Sequence, residues 1–202
     1  MNRRTALILG SSALVSLAAP ISAFAESMTP EIVDFAIGAE DAPVTIIEYA
    51  SFTCPHCARF HDDVYPLLKA DYVETGKVRF VYREVYFDRP GLWAAMVARC
   101  GGEMRYFGIS DMLFDKQKEW IGDGTGAVIA ANLRKIGLSA GLTNEELDQC
   151  MADGAKAQAM LDHYEVNITE YPIEGTPALV VNGKLYGNMG YDELKELIEK
   201  AL

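Results

Sequence analysis

Positive charge is scarce in this 202-residue chain: 18 Lys and Arg stand against 29 Asp and Glu, a formal net charge of −11. A surface built for phosphate backbones needs the opposite balance, so nucleic acid is excluded as a partner. No long hydrophobic run follows residue 25, and about 20 apolar residues are needed to cross a bilayer, so no membrane span is expected there. Repeats are lacking too, and 50% hydrophobic with 23% charged residues excludes a disordered, low-complexity protein. Cysteine is limited to Cys54, Cys57, Cys100 and Cys150.

The one apolar run, residues 6–19, follows Arg3 and Arg4 and leads to Ala23-Phe24-Ala25, small residues of the kind that precede a signal-peptidase site. Residues 1–25 are therefore expected to be a removable export signal rather than an anchor. The arginine pair leaves both the general and the twin-arginine routes open. Cleavage would leave 177 residues and a charge of −13, because two arginines and no acid are lost. That length suits one domain, or one domain with an insertion, in an oxidising compartment where disulfides are permitted.

Residues 44–49 (VTIIEY) read as a strand buried on both faces. A helix should begin at Pro55, whose missing N–H suits a first helical position, with Phe60, Val64, Leu67 and Leu68 on its apolar side and Thr75-Gly76 at its end. Residues 78–85 (VRFVYREV) form the next strand, completing a right-handed βαβ unit. The texture from Gly91 to about Tyr171 is helical, with segments at 92–105, 109–115, 126–136 and from Thr143, where Glu146 completes a capping box. Residues 178–186 then read as a hairpin turning at Asn182-Gly183, and residues 191–202 as an amphipathic helix with Leu194, Leu197, Ile198 and Leu202 apolar. Because strands lie on both sides of the helical block, the block is expected to be an insertion into one sheet-based fold.

Cys54-Pro55-His56-Cys57 stands where a strand hands over to a helix. At the N-cap, Cys54 would meet unpaired amides of residues 56 and 57 and the positive end of the helix dipole, which stabilise a thiolate. His56 adds a nearby donor. A lowered Cys54 pKa stabilises the reduced pair and makes its disulfide oxidising, with Cys57 more buried as the resolving thiol. The competing use of C-x-x-C is zinc, with His56 and His61 as further ligands. Those four positions point around more than one helix face, and His61 is expected to be exposed. Closing the loop from Cys54 to Cys57 gains only about 2 kcal/mol in chain entropy, whereas joining Cys100 to Cys150 gains roughly 4 kcal/mol. The first pairing suits chemistry and the second suits structure; two buried free thiols are the alternative for the second pair.

Thr176-Pro177 precedes the strand ALVV. A proline there can leave an unpaired backbone edge beside the sulfurs, where an extended substrate could pair, with Thr176 facing the thiols. Glu48 is either a strand-end acid that reaches water or a partly buried carboxylate that accepts or relays a proton for Cys57. Phe52, Phe60, Ile173 and Met189 fit an apolar substrate surface or the core equally well. The sequon at Asn167-Ile168-Thr169 is read as a chance match.

Residues 40–57 (EDAPVTIIEYASFTCPHC), residues 175–183 (GTPALVVNG) and the helical block between them resemble the DsbA-like thiol:disulfide oxidoreductases of the thioredoxin superfamily. The resemblance implies an α/β, thioredoxin-like fold with an inserted all-helical domain. The expected division is a signal peptide at 1–25, a thioredoxin-like domain at 26–90 and 172–202, and a helical insertion at 91–171. It implies a periplasmic dithiol oxidase in which Cys54 passes its disulfide to reduced exported proteins, Cys57 resolves the mixed disulfide, Pro177 is cis and an acid occupies position 48. It further implies reoxidation by a membrane quinone-linked DsbB-type partner, with no cofactor and no metal. Cys100 and Cys150 resemble the second disulfide of an alphaproteobacterial branch. Only 17 residues run from Glu26 to Ala42, too few for the dimerisation domain of related isomerases, so a monomer is expected. The alternatives are a disulfide isomerase or reductase, and a periplasmic metal-handling protein using the same Cys-His cluster.

Overall fold

The computed structural model describes residues 30–202; the expected export signal lies outside them. Five strands form one mixed sheet in the order β1-β3-β2-β4-β5. The centre is the apolar run β2 (Val44–Ala50), parallel to β3 (Val78–Glu84), with β4 (Ala178–Val181) antiparallel on its other side and β5 (Lys184–Tyr186) completing the hairpin. Asn182 and Gly183 both turn with positive φ, 44° and 82°, as a two-residue hairpin loop that follows strand twist requires. A three-residue strand, β1 (Phe35–Ile37), pairs antiparallel with β3; it is too short to show a sequence period.

The helix after β2 is broken where one continuous helix was expected. α1 (Pro55–Asp63) gives way at Val64 to α2 (Tyr65–Leu68) and a π-helical turn over Lys69–Val73. Pro66 lacks the N–H that a continuous ladder needs. Leu67, placed on the apolar side by spacing, is 47% exposed because the break rotates it outward. Gly76, with φ of 74°, closes the segment.

Six helices lie between β3 and β4: α3 (Arg89–Cys100), α4 (Gly102–Asp115), α5 (Gln117–Ile121), α6 (Gly126–Ser139), α7 (Asn144–Met151) and α8 (Gly154–Glu170). The expected helix over 92–105 is instead two. Gly102 adopts a φ of 63° and splits them, and α4 absorbs the segment expected at 109–115. Asp88 starts α3 by accepting from the Gly91 amide, and Thr143 and Glu146 form the capping box of α7. α9 (Tyr191–Ala201) closes the chain, burying Leu194 and Ile198 while Leu202 is exposed.

Strand period places the site. Val44, Ile46, Glu48 and Ala50 share the β2 face that packs on α1 and the helical block, while Tyr49 faces a smaller cluster with Val180 and Tyr164 of α8. An ion pair anchors the block to the sheet: Arg99 of α3 donates through Nε and Nη2 to both oxygens of Glu84, at 2.7 and 2.6 Å, and Tyr106 OH donates to the same carboxylate.

Candidate active site

Cys54 caps α1 in extended conformation and Pro55 takes the first helical position. Its carbonyl starts the helix by accepting from the Ala58 amide, and it also accepts from Gln117 Nε2 at 2.9 Å. The same nitrogen reaches the Phe52 carbonyl at 2.8 Å, so one buried amide from α5 ties down the loop that carries the thiol. Thr53 adds a second tie through its hydroxyl, which donates to Asp88 at the start of α3. Gln117 carries no local pattern to announce this role.

Both thiols are free, with Cys54 half-buried and Cys57 buried. Their acidities are driven apart. The Cys57 thiol, the Thr176 hydroxyl and the backbone amides of Cys57 and His56 hold Cys54 down at about 5, against the opposing effect of burial. The Thr176 carbonyl works the other way, accepting from the Cys54 thiol at 3.4 Å. The donors outnumber it, and the thiolate form is favoured. The Thr176 hydroxyl is buried without a conventional partner, which leaves it free for the two sulfurs. Cys57 is pushed far up, chiefly by burial, then by its hydrogen bond to Cys54 and by the charge of Glu48.

His56 acts on Cys54 through its backbone amide, one of the two amides expected there, while its ring, expected as a further donor, is not among the groups that lower Cys54. The ring is exposed, and its Nδ1 accepts from Arg59 Nη2 at 2.7 Å. Thr176 and Pro177 reach the thiols through the pairing of β4 with β2, and their peptide bond is cis. Pro172, Glu174, Gly175, Thr176, Pro177 and Tyr186 are among the residues of an open groove of about 480 Å³ beside them. Phe52, Phe60 and Met189 are buried in the core, and only Ile173 borders that groove.

Glu48 is completely buried and does not reach water; the solvent-reaching alternative is overturned. His61 is corrected with it. Expected on the exposed side of α1, it is buried 2.8 Å from Glu48, Nε2 to Oε2. The signal was available, because His61 follows Cys57 by four residues and so shares its helix face. Phe114 of α4 stacks on the imidazole at 4.0 Å and Tyr65 lies tilted at 4.6 Å. Asn167 of the sequon is buried in α8. Among the described residues, no group of three or more His, Cys, Asp and Glu is placed to hold a metal ion, and no helix is long and apolar enough to cross a membrane. Cys100 and Cys150 are joined in a disulfide between α3 and α7, with Cα atoms 5.8 Å apart.

A family model described as thioredoxin matches residues 31–200. The chain belongs to the thioredoxin family. Within that family it is DsbA-like. The solved structure of Wolbachia pipientis alpha-DsbA1 is 26% identical with a TM-score of 0.78, covering 86% of this chain and 93% of that one. Oxidised BdbD of Bacillus subtilis is 26% identical with a TM-score of 0.73, covering 83% and 92%. The disulfide bond formation protein D of Bacillus subtilis is 30% identical over 177 residues, 82% of this chain and 76% of that protein. A Rickettsia bellii protein, named as a protein-disulfide oxidoreductase, is 30% identical over 171 residues, 84% of this chain; the chain spans only 64% of its length. The inserted helices of the fold are those of the DsbA structures.

Proposed function

We propose that the protein is a thiol:disulfide oxidoreductase working as a dithiol oxidase, donating a Cys54–Cys57 disulfide to reduced exported proteins in the periplasm. The observation that carries this reading is the opposed acidity of the two thiols, Cys54 held at about 5 and Cys57 driven far up. A substrate thiolate attacks Cys54, the Cys54–Cys57 bond breaks, and its electron pair leaves on Cys57, which takes a proton. A second substrate thiolate then attacks the substrate sulfur of the mixed disulfide, and Cys54 departs as a stable thiolate. In the reverse direction Cys57 is the resolving thiol. Pro55 and the His56 amide shape the helix start, Thr176 tunes both sulfurs, Pro177 borders the substrate edge, and Glu48 handles the Cys57 proton.

The same reading makes 1–25 a signal peptide, 26–90 and 172–202 the redox domain, and 91–171 the insertion stapled by Cys100–Cys150. The protein acts as a monomer, is reoxidised by a membrane DsbB-type quinone-linked oxidase, and needs no cofactor. Equilibration in glutathione buffers tests the reading. The disulfide should be more oxidising than thioredoxin's, at about −270 mV; a potential at or below that value returns the protein to the reductase class. Cys54→Ser should abolish exchange and Cys57→Ala should accumulate mixed disulfides. Wild-type activity in both variants would defeat the assignment.

A further inference from the structure

Three buried polar atoms beside α1 have no partner: Glu48 Oε1, His61 Nδ1 and Tyr65 OH. The remaining polar atoms of the first two are bonded to each other, His61 Nε2 to Glu48 Oε2. Unpaired polar atoms are costly in a protein interior, and a group of them calls for a physical reason. Next to them is a cavity of about 320 Å³ whose walls include His61, Tyr65, Lys69, Asp111 and Phe114, and neither cysteine. It lies between α1–α2 on the redox side and α4 of the inserted block. His61 thus stands between a carboxylate that acts on Cys57 and an open cavity whose walls carry Lys69 and Asp111.

The geometry points to a proton path in which His61 reloads Glu48 from this cavity, so that each disulfide transfer draws the Cys57 proton from the helical-block side rather than through the substrate groove. The path rests on the oxidoreductase reading above. When substrate attack expels Cys57 as a thiolate, Glu48 gives up the proton on Oε1 and a Cys57 S–H bond forms. As the His61 Nε2 proton crosses to Glu48 Oε2, Nδ1 of the same ring takes one proton from the cavity side, so the imidazole stays neutral throughout and the pair returns to its starting charge. Reoxidation of the thiols runs the path backward. No electrons pass through it, and no oxidant beyond the exchanging disulfides is needed.

The surroundings suit a conduit. The groups around His61 are Glu48 of β2, Cys57 one turn before it on α1 and Asp62 beside it, Tyr65 of α2 with Lys69 after it, Tyr82 of β3, and Asp111 and Asp115 of α4. Burial raises the Asp111 carboxyl above the ordinary range while His61 and Lys69 oppose that rise. Asp111 is therefore the group across the cavity best placed to exchange a proton with its water. Phe114, stacked on the imidazole, and Tyr65, tilted against it, hold the ring in place. His61 is a positioning residue here, acting on Cys57 only through Glu48.

The test is single-turnover opening of the active-site disulfide by excess dithiothreitol across the acidic to neutral range, with rates normalised to the dithiol thiolate. His61→Gln keeps a hydrogen-bond donor for Glu48 but cannot pass a proton on. It should slow opening by at least about tenfold and flatten the pH profile, with the Cys54 thiolate midpoint left near 5. Imidazole added to His61→Ala should restore part of the rate, since the vacated space adjoins the cavity. A wild-type rate and profile in His61→Gln would overturn the path. Should the variants unfold, the wild type itself decides the question: opening should be slower in heavy water at matched thiolate concentration, and equal rates would overturn the path. If the wild-type disulfide fails to open at all, the oxidoreductase reading has failed; if it opens normally and His61→Gln matches it, only the path has failed.

Discussion

The sulfur of Cys54 lies 3.4 Å from the carbonyl oxygen of Thr176, 122 residues away in the chain. The pairing of Tyr49 in β2 with Ala178 in β4 makes this contact, because it sets the end of one strand beside the start of the other. Neither half of the site has its chemistry alone. The helix start supplies amides to the thiolate, and the late strand supplies a hydroxyl that favours the anion and a carbonyl that favours the thiol.

Titration of reduced Cys54, followed by thiolate absorbance, should give a midpoint at about 5. Thr176→Val removes a donor and should move it upward. The folded value lies below the unfolded one, near 8.5, so the thiolate stabilises the reduced protein fully above the unfolded value and loses that effect as pH falls through about 5. The stability of reduced relative to oxidised protein should therefore rise with pH between these limits. Cys57, raised by burial, stays protonated across the window. Denaturant melts of both redox forms along a pH series would check the slope, and a flat or falling difference would contradict it.

Cys100→Ala with Cys150→Ala should destabilise the fold by roughly 4 kcal/mol on the chain-entropy model, for a sequence separation of 50. Neither residue belongs to the loop that carries Cys54, so the exchange rate of the folded variant should stay close to wild type. Urea unfolding and a dithiol-exchange assay measure the two effects separately.

Arg99→Met should cost about 3–5 kcal/mol, because it leaves the Glu84 carboxylate buried with Tyr106 as its remaining partner. Adding Glu84→Leu should recover much of the loss, since an apolar pair leaves no buried charge. A double-mutant cycle in guanidinium chloride reads both numbers.

Gln117→Leu should cost about 1–3 kcal/mol by leaving the Phe52 and Cys54 carbonyls without this donor. Hydrogen exchange should speed up at the Cys54-Pro55-His56-Cys57 loop more than in β2, because the lost bonds are local to that loop. Uniform acceleration across the sheet would argue that Gln117 only stabilises the whole fold.

Much of the frame was legible because it rests on local rules. A β-branched run made β2, a cap and a proline started α1, Asn-Gly turned the hairpin, and Thr143 with Glu146 opened α7. The breaks at Val64 and Gly102 are not legible, because apolar spacing carries on across them while the backbone does not. Glu48 and His61 were half legible. Strand period puts Glu48 in line with Ile46 and Ala50, and helix period puts His61 in line with Cys57, yet neither pattern says that the two lines meet.

What the sequence determined by itself is a reactive pair at a helix start, a strand to place it on, and a hairpin strand to face it, since dihedral preference and side-chain period act over a few residues. What only the tertiary structure decided is the environment of that pair: the Thr176 groups on Cys54, the Gln117 clamp, and the buried Glu48–His61 pair beside its cavity. Those depend on which faces pack together, and packing brings residues more than a hundred positions apart within hydrogen-bond reach, where burial and charge set the two thiols against each other.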